Sequence, residues 1–272
     1  MRFSVLMSVY VKENPSFFKE SLKSVLNQTV PPNEIVIVKD GKLTSQLDSI
    51  IEEFLKLNPK IFKVVELKYN QGLGEALKKG VQECSYDIIA RMDTDDIAIN
   101  TRFQKQLAIL KKYDDIDIVG SYIKEFENNV EDETSIRRVP LTNLEIKSFA
   151  KQRNPFNHMT VMFRKEAVLK VGNYQPFLWN EDYYLWVRMI VNESKMSNIP
   201  ECLVYARTGK EMYARRGGIR YVMQEIRLQK EFKNLGFINL YTFIKNILIR
   251  VPIRLIPNKF REWIYLKTLR EN

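Results

Sequence analysis

Asp93-Thr94-Asp95-Asp96 sets three carboxylates within four residues, directly after the run Tyr86-Asp87-Ile88-Ile89-Ala90-Arg91-Met92. That run is largely apolar and reads as a buried strand, so the carboxylates gather at its carboxyl end. Crowded anions disfavour one another's charge, and a divalent cation with a phosphate would offset the repulsion. Mg²⁺ and Mn²⁺ prefer oxygen donors and commonly bind through one or two carboxylates plus substrate phosphates. Open α/β sheets hold their ligands at this same edge. The spacing points to a site that handles a diphosphate. A solvated turn or a helix start also carries such acids, so the surrounding residues must decide.

Three further groups belong at the same edge. Ser8-Val9-Tyr10 ends the strand Phe3 to Tyr10, and Asp40-Gly41 ends Glu34-Ile35-Val36-Ile37-Val38. Asn70-Gln71-Gly72-Leu73-Gly74 opens a helix. A strand-end Asp can accept from a base or a ribose hydroxyl, and a Tyr can stack on a base. Each group alone has a plainer reading as a turn. Neither a P-loop nor the GxGxxG fingerprint is present.

The elements that position these groups alternate. Helical spacing marks Pro15 through Asn27, a stretch around Ile50 to Leu57, and Gly72 to Val81. Between them fall the strands already named and Phe62 to Leu67. The pattern predicts an α/β fold with a mainly parallel sheet covered on both faces. Asn100 should cap a helix from Thr101 to Lys112, followed by a strand Ile116 to Tyr122. Residues 121 to 140 are polar and give no clear element. Thr160 to Arg164 reads as a strand and Glu181 to Val191 as a helix.

Composition narrows the chemistry. The chain has 272 residues, room for one large domain or two small ones. One histidine, His158, argues against a zinc site built on several histidines and leaves a Ser-His-Asp triad a single base. Cys84 and Cys202 form no CxxC pair, which fits a reducing cytoplasm. The amino terminus does not read as a signal peptide, and no run is long enough for a spanning helix.

The net charge of +10 sits in the tail: from Arg207 onward there are 15 Lys and Arg against 5 Asp and Glu, leaving 28 of each sign in residues 1–206. Phe237, Leu240, Tyr241, Ile244, Ile247, Leu248 and Val251 share one face of a helix there, with Asn239, Lys245, Asn246 and Arg250 on the other. Such a helix suits an anionic membrane interface, or packs by its apolar face on the body.

Taken together, these pieces resemble the family 2 glycosyltransferases. The match runs through Ser4 to Tyr10, Ser21 to Thr29, Ile35 to Gly41, Asn70 to Gly74, Asp93 to Asp96 and Glu181-Asp182-Tyr183-Tyr184-Leu185-Trp186, over residues 3 to about 206. The resemblance implies a GT-A fold, a Rossmann-like mixed sheet flanked by helices. Its domain would span 1–206, with a nucleotide-binding half (1–100) and an acceptor half (101–206), and a basic helical extension over 207–272. It implies transfer of a sugar from a nucleotide diphosphate with inversion. By position, Ser8, Tyr10, Asp40, Gly72, Asp93 and Asp95 would bind the nucleotide, with Asp95 and Asp96 on the metal. Asp182, in the pair with Glu181, would be the catalytic base. His158, Trp186, Arg215 and Arg216 would face the acceptor or diphosphate. Trp186 and Leu185 also read as core, and His158 as a core or rim histidine. Lys39, Lys42 and the missing histidine near Tyr205 depart from the family pattern.

The expected enzyme is an inverting hexosyltransferase using a UDP-sugar and Mn²⁺ or Mg²⁺. It would act on a lipid-linked saccharide in capsule or exopolysaccharide synthesis, peripherally at the inner face of the cell membrane. A protein or soluble acceptor stays open. So do a phosphotransferase using Asp93, a non-catalytic sugar-nucleotide binder, and a nucleic-acid binder, for which no recognition motif exists.

Overall fold

The structure is a computed structural model, and it describes residues 1–208 and 217–256. β1 (Phe3–Val9), β2 (Glu34–Lys39), β3 (Phe62–Glu66) and β4 (Ile88–Arg91) form a parallel set in the order β3-β2-β1-β4. β1 is buried on both faces, as the centre of a parallel sheet requires. The helices between these strands start where their caps dictate. Asn14 accepts from the amides of Ser16 and Phe17 to open α1 (Pro15–Leu26), with Pro15 in its first turn. Thr44 accepts from Leu47 to open α2 (Ser45–Leu57). α3 (Leu73–Glu83) begins after Gly72, whose φ of 87° suits glycine.

The sheet then becomes mixed. β5 (Ile97–Ala98) and α4 (Arg102–Lys112) precede a long β6 (Ile116–Phe126) and β7 (Glu133–Arg137). After α5 (Asn143–Phe149) come a 3₁₀ turn (His158–Thr160), β8 (Met162–Arg164), α6 (Lys165–Lys170), α7 (Glu181–Val191) and β9 (Lys195–Arg207). The order continues β4-β8-β6-β9-β5, with β7 on β6. β8 runs antiparallel to both β4 and β6, so the two halves share one sheet. One face is covered by α1, α2 and α4 through residues such as Phe18, Leu47 and Phe103. The other is covered by α3 and α7 through Leu77, Trp186 and Met189.

Several boundaries differ from those the sequence suggests. The stretch expected as a strand over 160–164 starts with the 3₁₀ turn, because Thr160 hydroxyl and amide both bond back to the Asn157 carbonyl. The strand expected to end at Tyr122 runs on to Phe126, and β7 occupies the segment that gave no reading. β9 pairs with β6 through register shifts, one of them passing Pro200, that blur its alternation.

The tail folds onto the body as a helical hairpin. The first tail helix (Ile219–Asn234) buries Leu228 and Phe232 against Tyr183 and Val187 of α7. The second (Leu240–Leu255) returns antiparallel to it: the Gly218 amide donates to the Arg254 carbonyl at 2.9 Å, and Asn246 Nδ2 donates to Gln229 Oε1 at 2.8 Å. Phe243 packs on the body and Asn246 and Arg254 are buried, whereas Leu240, Tyr241, Ile244 and Leu248 of the apolar stripe are exposed.

Candidate active site

Arg91 closes β4 and is almost fully buried. Its guanidinium meets Asp93 Oδ1 at 2.5 Å. Burial works against its charge, but Asp93, Tyr174 and Asp96 hold it protonated. The Asp93 carbonyl accepts from Ser21 of α1 at 2.7 Å, which fixes the acidic turn to the helix behind it. Asp96 lies buried, with Oδ1 accepting from the Arg207 amide at 2.8 Å and Oδ2 without a hydrogen-bond partner. Asp95 is half-buried. Burial and the charge of Asp93 raise its pKa to about 6, and burial with Asp95 raises Asp96 well above the usual range. Burial and crowding among these carboxylates both disfavour their charged forms, and a nearby cation would favour them.

Arg207, at the end of β9, ties the turn to the far half of the chain. Its Nε donates to the Asp95 carbonyl at 3.2 Å, its Nη2 reaches Glu20, and its guanidinium lies over the rings of Phe17 and Phe126. Glu13, in the loop after β1, faces the same carboxylates. Burial first, then Asp95, pushes it up to about 7, while a hydrogen bond with Thr94 opposes the rise.

The nucleotide edge is organised by Asp40. Its two carboxylate oxygens accept from the amides of Gln71 at 2.7 Å and Gly72 at 3.0 Å, so it caps the start of α3 from a neighbouring strand end. Gly41 has φ 83°, and a Cβ there would stand 2.6 Å from the Asn70 amide nitrogen. Ser8 and Tyr10 flank Val9, which pairs with Lys39 just before Asp40. The side of this edge nearest Gly74 touches the acceptor half: a Cβ on Gly74 would meet the Gln175 carbonyl at 3.2 Å and Glu181 Cβ at 3.4 Å.

Glu181 and Asp182 start α7, where negative charge suits the helix dipole. Asn154 donates to Asp182 Oδ2 at 2.6 Å. Burial raises the Asp182 carboxyl, and Asn154, the Tyr183 amide, Arg137 and Arg91 pull it back. Glu181 rises to about 7, mainly through burial, and its Oε2 has no hydrogen-bond partner. His158 Nε2 meets the Tyr174 hydroxyl at 2.9 Å, and burial beside Arg91 holds the ring neutral. Trp186 is fully buried against Phe156, Tyr174 and His158. It forms the floor beneath His158, which is the core reading of this residue and not a contact surface for acceptor or diphosphate.

Arg91 is thus the shared neighbour. Its charge acts on Asp95, Asp96 and Glu13 on one side and on Glu181, Asp182 and His158 on the other. It is ion-paired to Asp93, and its charge reaches the carboxylates that the sequence singles out in both halves. Arg215 and Arg216 lie outside the described residues. Sequence reasoning passed over Arg91, Glu13, Asn154 and Arg207. Arg91 was legible as a charge inside an otherwise apolar strand, whereas the other three come into place only through contacts distant in sequence.

A site that joins a strand-end acidic turn and a helix-start carboxylate pair on a half-parallel, half-mixed sheet defines a GT-A sugar-nucleotide transferase. The chain belongs to glycosyl transferase family 2, whose family model matches residues 4–174. It is 41% identical over 270 residues to a UDP-Gal:alpha-D-GlcNAc-diphosphoundecaprenol beta-1,3-galactosyltransferase of Escherichia coli, covering 99% of this chain and 97% of that one. It is 37% identical to the amylovoran biosynthesis glycosyltransferase of Erwinia amylovora, covering 97% and 98%. The fold matches S. aureus TarS 1-349 in complex with UDP-GlcNAc with a TM-score of 0.70 at 18% identity, covering 99% of this chain and 76% of that one. The protein is a nucleotide-sugar hexosyltransferase of this family.

Proposed function

We propose that the protein moves a hexose, galactose ahead of glucose or an N-acetyl form, from a UDP-sugar to a lipid-linked saccharide during bacterial surface polysaccharide synthesis. Arg91, ion-paired to Asp93 and close enough for its charge to act on Glu181 and Asp182, carries the reading, because inverting transfer needs a base and a diphosphate anchor on opposite sides of one carbon. The relative from E. coli, nearly equal in length, supports the donor and the lipid diphosphate acceptor.

Asp182 is the base. An acceptor hydroxyl is a poor nucleophile until a carboxylate in hydrogen-bond reach takes its proton. Asn154 donates to Oδ2 and so orients the carboxylate for that hydroxyl. Asp40 fixes the Gln71–Gly72 turn, where the base and ribose would lie, with Ser8, Tyr10 and Asp93 as their further contacts. Asp95 and the unpaired oxygen of Asp96 suit a hard divalent cation that completes its shell from the diphosphate. Bound there, Mn²⁺ or Mg²⁺ would act as a Lewis acid on the departing UDP. Among the described residues no helix is long and apolar enough to cross a membrane, so an acceptor at the inner face of the membrane would be met peripherally, through the basic tail on anionic lipid.

The test is transfer of labelled galactose from UDP-galactose to a GlcNAc-diphospho-lipid, with product linkage determined. Native protein should form a β-linked product. Asp182→Asn should lower kcat by about 10²–10⁴ while UDP affinity is kept. Undiminished turnover in Asp182→Asn, or no transfer from any UDP-hexose, overturns the proposal.

A further inference from the structure

The second tail helix is inside out. Leu240, Tyr241, Ile244, Leu248 and Leu255 are 55%, 75%, 47%, 69% and 57% exposed. They recur at helical spacing on one outward face. Asn246, Arg250 and Arg254 turn inward instead. Asn246 is buried and donates to the Lys151 carbonyl and to Gln229. Arg250 and Arg254 reach the buried Glu225 at 2.7 and 3.6 Å. Scattered exposed leucines need no account, but a contiguous apolar face with its polar side held against the body does.

Charge says what covers it. Within 217–256 the acidic residues are Glu225 and Glu231, and neither is exposed, whereas Arg220, Arg227, Lys230, Lys233 and Lys245 all are. A second copy would bring the same cations to a twofold contact, with no exposed acid among the described residues 217–256 to meet them. A bilayer carrying anionic lipid offers both an apolar interior and negative headgroups.

We infer that the outward face of the helix Leu240–Leu255 lies in an anionic lipid surface and fixes the orientation of the acceptor half toward that surface. The inference rests on the proposed lipid-linked acceptor and adds the face that docks. Asn246 joins this helix to Lys151, three residues before the Asn154 that holds Asp182. Tyr183, next to Asp182, packs on Phe232 of the first tail helix at 4.9 Å between ring centroids. The docking face and the base therefore belong to one packed unit, so a chain lying on lipid keeps its base at a fixed height above the acceptor's anchor.

The experiment is co-sedimentation of the full chain with vesicles of phosphatidylcholine alone and of phosphatidylcholine with phosphatidylglycerol. It is run beside UDP calorimetry and a sedimentation measurement of oligomeric state. Native protein should bind the anionic vesicles, less so as salt rises. Ile244→Glu with Leu248→Glu should cut binding about tenfold or more and leave UDP binding and melting temperature unchanged. Lys245→Glu, which alters charge alone, should weaken binding less. Native protein that binds UDP but no vesicle overturns the inference and leaves the transferase reading standing. Vesicle binding unaffected by the double variant overturns it too, as does a dimer that the double variant dissociates. Vesicle binding of the predicted kind without UDP binding would instead sink the transferase reading.

Discussion

Asn154 has a role that neither its type nor its place in a loop announces. Its amide fixes one oxygen of Asp182 and favours the charged form of a carboxyl that burial pushes toward neutrality. The base must be ionised to work, so activity falls as pH drops through its pKa. Removing a group that lowers that pKa moves the acid limb to higher pH. Asn154→Ala should therefore shift the acid limb of the kcat–pH profile upward and lower kcat at neutral pH, with KM for the UDP-sugar little changed. An unshifted limb with reduced kcat would mean that Asn154 serves only packing. Arg91 acts in the same sense on both carboxylate groups, opposing the burial that raises them.

At the scale of elements, the site depends on where three connections turn. Gly41 lets β2 end with Asp40 aimed at the amides that open α3. Gly41→Ala meets a left-handed φ and a backbone clash together, and should cost about 1–3 kcal/mol of stability. It should also weaken UDP binding, as read by denaturant unfolding and calorimetry. A variant of native stability would show that the loop yields without cost. The parallel half was legible in the sequence because its strands are largely apolar and its helices keep apolar residues at helical spacing. The acidic turn and the Glu181-Asp182 helix start were legible as motifs of residue type and spacing. The later half was harder. β6 and β9 are long and irregular in register, β8 is three residues long, and the 3₁₀ turn is closed by backbone bonds that a threonine hydroxyl reinforces. None of these leaves a clean period of two. Trp186 kept a floor position that motif matching alone cannot tell from a ligand contact.

The whole molecule divides its charge by task. Residues 1–206 balance 28 cations with 28 anions, and the excess of +10 belongs to the stretch from Arg207 onward. The neutral part concentrates buried carboxylates at one sheet end, and the basic part turns an apolar face outward. Amphipathic spacing alone cannot fix which way such a helix faces; here Glu225 draws Arg250 and Arg254 inward and decides it. The central claim is that the acidic turn receives the diphosphate of a UDP-sugar with a divalent cation. Titration calorimetry of UDP, with and without Mn²⁺, on native protein and Asp95→Ala tests it most directly. The account predicts tight binding by native protein with Mn²⁺, weaker binding without it, and loss of the Mn²⁺ dependence in Asp95→Ala. Native protein that fails to bind UDP in the presence of Mn²⁺, or Asp95→Ala that binds with undiminished Mn²⁺ dependence, would contradict it.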